Sequence, residues 1–371
     1  MESIHRPTRV IVSPQAIKNN IEKELAHIPK GMEVFAVIKA NAYGHGAIPV
    51  ANIAANFGVS GFGVATLDEA IQLREAGITL PILVLASVSV EYLHLLQSYH
   101  LSATIATMEW WEKAQRYMAI LPDKTPVQLH IKVDTGMGRL GFGTLDETKE
   151  ILEAIEQTPG FAVEGIFTHF ATADDPDFTY YDEQKAKFEY ILANLPKKPR
   201  YIHMSNTASS IWHDDTTGNM VRFGIGIYGL NPSGRAMNDE LGLIPAMRLE
   251  SRIIQCKQVP KDTKIGYGAT YSASESEWIG TVPIGYADGW TRRMQGFKVL
   301  VNGKRCEIVG RVCMDQMMIR LPEFVAEGTK VTLIGKDGDD EITMQEIAEY
   351  MGTINYEVAC LISDRVPRIY E

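Results

Sequence analysis

Short apolar runs rich in β-branched and aromatic residues recur between residues 33 and 230 and alternate with amphipathic stretches. This alternation predicts parallel strands joined by helices, because each strand–helix unit returns the chain to the same edge of the sheet. Eight such units fit a (β/α)8 TIM-type barrel, an α/β fold whose active site lies at the carboxyl ends of the strands. An open doubly wound sheet is the alternative, but no G-x-G-x-x-G motif follows the first strand. The predicted strands are 33–39, 61–66, 81–87, 102–107, 127–134, 162–170, 201–206 and 220–228.

The pattern changes after residue 242, where short strands follow one another without long helices. The run 299–308 predicts a hairpin, because Asn302-Gly303 favours a type I′ turn. We therefore expect two domains: a (β/α)8 barrel over residues 12–242 and a smaller, mostly antiparallel β-domain over residues 243–371. The opening strand at 8–12 could pair with the second domain, so residues 1–11 are grouped with it. Other expected elements are strands at 249–259, 278–285, 308–319 and 330–334 and a short helix near 344–351.

The composition is that of an ordinary globular protein, with 45% hydrophobic and 22% charged residues. The net charge of −10, without any basic cluster, argues against a nucleic-acid or anionic-membrane surface. The first residues carry no apolar segment, so we expect neither a signal peptide nor a transmembrane helix. The four cysteines include no C-x-x-C pair, so we expect no disulfide, no metal site and a cytoplasmic location.

Polar residues lie at the ends of five predicted strands, where a barrel would gather them at one mouth. Lys39 ends the first strand and precedes a tight loop over residues 40–46, which contains Tyr43 and two glycines. An ammonium at such a strand end loses water, which favours the neutral amine that a Schiff-base lysine needs. Each residue also has a structural alternative, such as an internal ion pair for Lys132 or a core position for His169. The others are Asp134 and Arg139 after the fifth strand, Thr168 after the sixth, Asn206 and Thr207 after the seventh, and Arg222, Gly224 and Gly226 on the eighth.

Taken together, these strand ends favour one anion-binding site over several unrelated structural roles. Two arginines and a lysine supply positive charge. Backbone amides of residues 222–225, with the hydroxyls of Thr207 and Tyr43, supply the neutral donors that a phosphate requires. An amine nucleophile beside a phosphate site is what pyridoxal 5′-phosphate (PLP) needs in order to be held as a Schiff base. The residues therefore predict a PLP site at the barrel mouth.

Six motifs in this order resemble the bacterial alanine racemases, PLP enzymes of fold type III with a (β/α)8 barrel and a C-terminal β-domain. The likeness runs over essentially the whole chain. In the first domain the motifs read VIKANAYGHG from Val37, KVDTGMGR from Lys132 and NMVRFGIGIYG from Asn219. In the second domain they read GYGATY from Gly266, IGYADG from Ile284 and GRVCMDQ from Gly310.

The resemblance implies an enzyme that interconverts L-alanine and D-alanine by exchanging the α-proton between two bases. It implies that Lys39 holds PLP as a Schiff base and is one base, and that Tyr267 is the other. It also implies that Arg222 faces the pyridine nitrogen, that His169 lies near the ring, and that Arg139 contacts cofactor and substrate carboxylate. The remaining implied cofactor-binding residues are Tyr43, Asn206, Thr207, Gly224, Ile225 and Tyr356, and Thr207 stands where many members have serine.

The resemblance further implies a homodimer with active sites shared between subunits. The backbone of Met314 would contact the substrate carboxylate in the other subunit, and Tyr267 would reach the partner's barrel. Lys132 matches a lysine that is carbamylated in some members. D-Alanine as product implies a role in peptidoglycan synthesis. The expected partners are thus a second copy and a small amino acid, with no nucleic acid and no membrane.

Three other interpretations were weighed against this one. A racemase of broader specificity, or one specific for serine, would differ only in pocket side chains. A non-catalytic PLP carrier resembles only the barrel part, so residues 243–371 argue against it. A decarboxylase of the same barrel class usually places a carboxylate against the pyridine nitrogen, so Arg222 argues against that assignment.

Overall fold

A computed structural model describes residues 2–123, 125–213 and 217–371 of the chain. These residues divide into two compact units. The barrel unit takes the described residues of 15–42 and 47–244, and the β unit takes residues 2–14, 43–46 and 245–371. Within the described ranges, none of the helices combines the length and apolar character needed to cross a membrane.

Strand β1 (Arg9–Val12) opens the chain and belongs to the β unit. The barrel strands are β2 (Glu33–Val37), β3 (Gly61–Val64), β4 (Ile82–Val84), β5 (Ser102–Ile105), β6 (Val127–Lys132), β7 (Phe161–Phe167), β8 (Tyr201–His203) and β9 (Met220–Phe223). They pair in parallel in the order β8-β7-β6-β5-β4-β3-β2-β9. A parallel bridge between Asn206 and Arg222 joins the two outer strands and closes the ring. The barrel prediction is confirmed, and each predicted strand overlaps one observed strand.

Helices follow the strands and cover the barrel, so most strand residues are buried on both faces. They are α1 (Pro14–His27), α2 (Lys39–Tyr43), α3 (Ala47–Asn56), α4 (Leu67–Glu75), α5 (Leu93–Ser98), α6 (Met108–Ile120), α7 (Leu145–Glu156), α8 (Thr179–Ala193) and α9 (Thr207–Trp212). The tetrapeptide Thr-Leu-Asp-Glu occurs at 66–69 and at 144–147 and starts both α4 and α7. In each, the threonine hydroxyl accepts from the glutamate N–H, and the glutamate carboxylate accepts from the threonine N–H. Such a capping box contributes about 1 kcal/mol to helix stability.

The β unit is mostly antiparallel, as predicted, with β1 paired to β10 and β20 in its largest sheet. Its strands are β10 (Met247–Arg252), β11 (Gln255–Val259), β12 (Lys264–Ile265), β13 (Tyr271–Ser272), β14 (Glu277–Val282), β15 (Lys298–Val301), β16 (Lys304–Glu307), β17 (Met317–Leu321), β18 (Lys330–Asp337), β19 (Asp340–Ile342) and β20 (Arg368–Tyr370). The largest sheet has the order β16-β15-β18-β10-β1-β20, with β19 on β18. Two smaller sheets pair β11-β14-β17 and β12-β13. The helices are α10 (Met344–Met351) and α11 (Asn355–Leu361).

The predicted bounds of two strands in the β unit are wrong. The run 249–259 is two strands, because the N–H groups of Ile253 and Ile254 bond to different segments, at Thr329 and Thr281. The run 308–319 is mainly a loop, since β17 begins only at Met317. Helix α11 was not predicted, because its seven residues are too few for a clear helical period.

One carboxylate of the barrel unit is fully buried. Glu24, in α1, lies beside Ser210 of α9. Burial raises the pKa of Glu24 to about 7, and the Ser210 side chain opposes only part of this shift. The charged form of this side chain therefore destabilises the folded barrel unit.

We expect Glu24→Gln to remove a pH-dependent loss of stability. The folded-state pKa lies above the unfolded value of 4.5, so the stabilising effect of the neutral form is complete at acidic pH. This stabilisation is lost as the pH rises from 4.5 through 7, and the free energy of unfolding falls by about 3 kcal/mol in total. Urea unfolding at pH 5 and pH 8 should show a larger fall in unfolding free energy for the wild type than for Glu24→Gln.

Glu22→Gln is the matched control, because Glu22 is exposed on the same helix. It should follow the wild type at both pH values. Equal pH dependence in all three proteins would show that burial does not raise the pKa of the Glu24 carboxyl.

Candidate active site

The carboxyl ends of the barrel strands place the predicted cations around one histidine. His169 follows β7, and the charges of Arg222, Arg139, Lys132 and Lys39 all act on its imidazole. Burial is the largest effect, and with these charges it holds the pKa of His169 well below its ordinary value. The imidazole is therefore neutral, and the five barrel residues form one electropositive cluster.

Lys39 stands directly before a turn of left-handed backbone. Residues 40–43 have φ between 51° and 54°, a region that costs a non-glycine residue about 1–2 kcal/mol. Two side chains stabilise the turn. Glu69 Oε1 accepts from the N–H of Ala40 at 2.7 Å, and Asn41 Oδ1 accepts from the N–H of Ala47 at 2.8 Å. The tight loop predicted after Lys39 thus begins with non-glycine residues in left-handed backbone, and Gly44 and Gly46, with φ of 79° and 98°, follow them.

Arg222, on β9, is only 5% exposed and is surrounded by acceptors. Its Nη1 donates to His203 Nδ1 at 2.9 Å and to the His203 carbonyl at 3.0 Å. Its Nη2 donates to the carbonyls of Thr168 at 2.9 Å and Met204 at 3.1 Å. A guanidinium keeps its protons at any accessible pH, so Arg222 is a fixed positive charge that can only donate.

Lys132 is the last residue of β6, and its buried Nζ donates to the carbonyl of Val133 at 2.7 Å. Burial lowers the pKa of Lys132 to about 8; Arg222 and Arg139 add to this effect and Asp134 opposes it. A substantial neutral fraction of this amine therefore exists near pH 8.

Hydroxyl and amide groups gather where β8 and β9 end. Thr207 begins α9, and its Oγ1 accepts from the N–H of Gly224 at 2.9 Å. Asn206 caps the same helix from the preceding position. Gly226 has no room for a side chain, because a Cβ there would clash with the Phe223 ring. This is the part of the barrel unit that the sequence assigned to phosphate, and Ile225 lies within it.

The β unit holds the other predicted site residues. The rings of Tyr43 and Tyr356 lie 6.2 Å apart. Burial raises the pKa of Tyr43, so its hydroxyl stays protonated and can donate. Tyr267 and Met314 are 69% and 52% exposed.

The donor set of the barrel unit fits PLP. Lys39 would supply an amine for the aldehyde, and Arg222 would place a permanent positive charge against a pyridine nitrogen that stays unprotonated. Thr207 and the neighbouring amides supply neutral donors suited to a phosphate.

The sequence analysis assigned no role to His203, which ends β8. The structure shows that its ring and its carbonyl both bind Arg222. This contact could have been predicted from the sequence. In a closed eight-stranded barrel β8 and β9 must be neighbours, and His203 and Arg222 both lie near the carboxyl ends of these strands.

Two family models match the chain: alanine racemase N-terminal domain over residues 12–232 and alanine racemase C-terminal domain over residues 246–370. An alanine racemase of Levilactobacillus brevis is 51% identical over 367 residues, which cover 99% of this chain and 98% of that protein. The crystal structure of alanine racemase from E. faecalis is 53% identical and has a TM-score of 0.98, with 100% of both chains covered. The structure of alanine racemase from Bacillus anthracis with bound L-Ala-P is 45% identical and has a TM-score of 0.94, with 99% of this chain and 95% of that chain covered.

We expect Thr207→Val to weaken PLP binding about tenfold, because it removes a hydroxyl that would donate to the phosphate, and a hydrogen bond to a charged group contributes about 1.5–3 kcal/mol. Valine keeps the size of threonine but removes the acceptor for the Gly224 N–H. Thr207→Ser keeps the hydroxyl and should bind nearly as the wild type does. Absorbance titration of each apoprotein with PLP measures both affinities, with thermal unfolding as a check on the fold. Equal affinities for the two variants would exclude a role for the hydroxyl.

Proposed function

The chain belongs to the alanine racemase family, and from this premise we propose how its residues interconvert L-alanine and D-alanine. The protein is a PLP-dependent isomerase, and D-alanine is a precursor of peptidoglycan. The match to the C-terminal domain argues against a non-catalytic PLP carrier. The observation that supports the residue roles is the donor set at the barrel mouth: an amine, a buried guanidinium and a hydroxyl–amide group.

When bound, PLP supplies an electron-withdrawing ring that acidifies the α-hydrogen of the attached amino acid. Lys39 would hold its aldehyde. Arg222 would face the pyridine nitrogen, and since arginine only donates, that nitrogen would stay an unprotonated acceptor. The residues that would hold the phosphate side are Tyr43, Asn206, Thr207, Gly224, Ile225 and Tyr356.

Inversion at Cα requires one base on each face, because a single base would have to move around the substrate. Lys39 exchanges the proton of the D-isomer, and Tyr267 exchanges that of the L-isomer. Arg139 binds the substrate carboxylate by its charge. His169 would lie near the cofactor ring as a neutral imidazole, so it would add no further charge to the site.

Alanine racemases are dimers that act on a small amino acid. We propose that the sites are shared, with Tyr267 and the backbone of Met314 contributed to the partner's barrel. What supports this is their exposure, since large exposed apolar side chains often mark an interface.

Carbamylation of Lys132 stays a prediction. It is supported by the pKa of about 8, because only the neutral amine reacts with carbon dioxide. The negative charge of a carbamate would also be stabilised by Arg139 and Arg222, which repel the ammonium form. A cytoplasmic location also stays a proposal, supported by the four cysteines, all described and all free thiols.

The activity is tested by incubating PLP-loaded protein with each enantiomer of alanine in deuterated buffer. We expect both enantiomers to appear with deuterium at Cα, resolved by chiral chromatography and mass spectrometry. Exchange without inversion would contradict a racemase. A rate with L-serine equal to that with L-alanine would favour the broader-specificity alternative.

Shared sites are tested by mixing two inactive variants, Lys39→Ala and Tyr267→Phe. Random subunit exchange makes half of the dimers hybrid, and each hybrid holds one intact site, so about a quarter of wild-type activity should return. Each variant mixed with itself is the control. No recovery, once subunit exchange is demonstrated by mass, would contradict sites built from two chains.

A further inference from the structure

A chain of hydrogen bonds runs from Arg222 through the inside of the barrel to Glu164. His203 Nδ1 lies 2.9 Å from Arg222 Nη1, and His203 Nε2 lies 2.8 Å from His130 Nδ1. His130 Nε2 lies 3.1 Å from Glu164 Oε2. We call these four residues the buried relay; they lie on β9, β8, β6 and β7, and both imidazoles are fully buried.

The two ends of the buried relay, a guanidinium that only donates and a carboxylate that only accepts, together set the direction of its protons. Because the guanidinium only donates, His203 Nδ1 must accept, so a neutral His203 carries its hydrogen on Nε2. That hydrogen is donated to His130 Nδ1, so His130 carries its own hydrogen on Nε2 and donates it to Glu164. Burial lowers the pKa of both imidazoles and Arg222 adds to this, so neither ring holds a second proton at neutral pH.

The backbone of β7 is shaped to admit the buried relay. Leu129 pairs with Val163 but His130 pairs with Gly165, so Glu164 is the extra residue of a β-bulge. Bulges change the direction of a side chain without ending the strand. Gly165 is required beside the ring, because a Cβ there would lie 2.3 Å from His130 Nδ1.

Aromatic rings pack against both histidines of the buried relay, and a hydroxyl bonds to its carboxylate. Phe167 stacks on His203 at 4.6 Å with an interplanar angle of 5°, and Tyr201 stacks on His130 at 5.8 Å. The hydroxyl of Ser102 donates to Glu164 Oε2 at 2.5 Å. Burial works to raise the pKa of Glu164, but the hydrogen bonds from His130 and Ser102 hold it below its ordinary value, so the carboxylate is ionised.

We propose that Glu164 is a positioning residue for racemisation, which acts through His130 and His203 to keep Arg222 oriented toward the pyridine nitrogen of the cofactor. This rests on the proposed role of Arg222. The ionised carboxylate accepts from His130 and thereby stabilises one proton arrangement over its reverse. In the reverse arrangement His203 would present an Nδ1–H to Arg222, and the guanidinium would have to turn away.

The test compares Glu164→Gln with Ser102→Ala in the PLP-loaded enzyme. Glutamine has the size of glutamate but is neutral and can offer His130 a donor or an acceptor, so the Glu164 end of the buried relay no longer fixes the proton direction. We expect kcat to fall about tenfold with KM for L-alanine unchanged, the effect of losing an outer orienting partner. Ser102→Ala removes the other donor to Glu164 but leaves the relay intact, and its kcat should stay within about twofold of the wild type.

Nitrogen-15 spectra of the histidine rings supply a readout that a purely structural role would not change. The wild type should show Nε2–H tautomers at His130 and His203, and Glu164→Gln should show a mixture at both. An Nδ1–H tautomer at either ring of the wild type would overturn the proposal, whether or not the variant folds. Wild-type tautomers or wild-type kcat in a folded Glu164→Gln protein would also overturn it.

Failure of the relay is distinguishable from failure of the proposed function. A wild type that does not racemise alanine would contradict the function itself. A racemising wild type whose Glu164→Gln variant matches it in rate and tautomer would contradict the relay alone.

Discussion

A buried guanidinium must find an acceptor for its donors or leave costly unsatisfied groups in the core. Arg222 meets this demand with carbonyls and an imidazole supplied by the segments that follow β7 and β8. The need for these acceptors links the strand ends to one another, because a shift of one segment would leave Arg222 with an unsatisfied donor. The arrangement of the barrel mouth thus follows from solvating a single charge with protein groups.

The same mouth concentrates positive charge. Lys39, Lys132, Arg139 and Arg222 all act on His169, and their mutual repulsion is a cost of folding. An anionic ligand relieves that repulsion, so the folded protein is more stable with a phosphate and a carboxylate bound than without them. The positive charge that opposes folding is therefore the same charge that would bind the cofactor and orient the substrate.

Much of this could be predicted from the sequence, and the remainder has a physical reason. Strand–helix alternation specifies the barrel, and the topology then carries Lys39, Lys132 and Arg222 to one end. Glu164 could not be found in this way, because the β-bulge breaks the two-residue period that assigns a side chain to a face. The left-handed turn after Lys39 was also missed, since alanine and asparagine give little sign of that backbone.

The handedness of this turn has a consequence for the evolution of the protein. Four successive residues, at 40–43, are held in a backbone conformation that is unfavourable for each of them. Their conformational energies add up to several kcal/mol, which is a large share of the net stability of a domain. Glycines would relax that stress, yet they would also loosen the backbone beside the nucleophilic amine. Selection for thermostability and selection for turnover therefore pull this short segment in opposite directions.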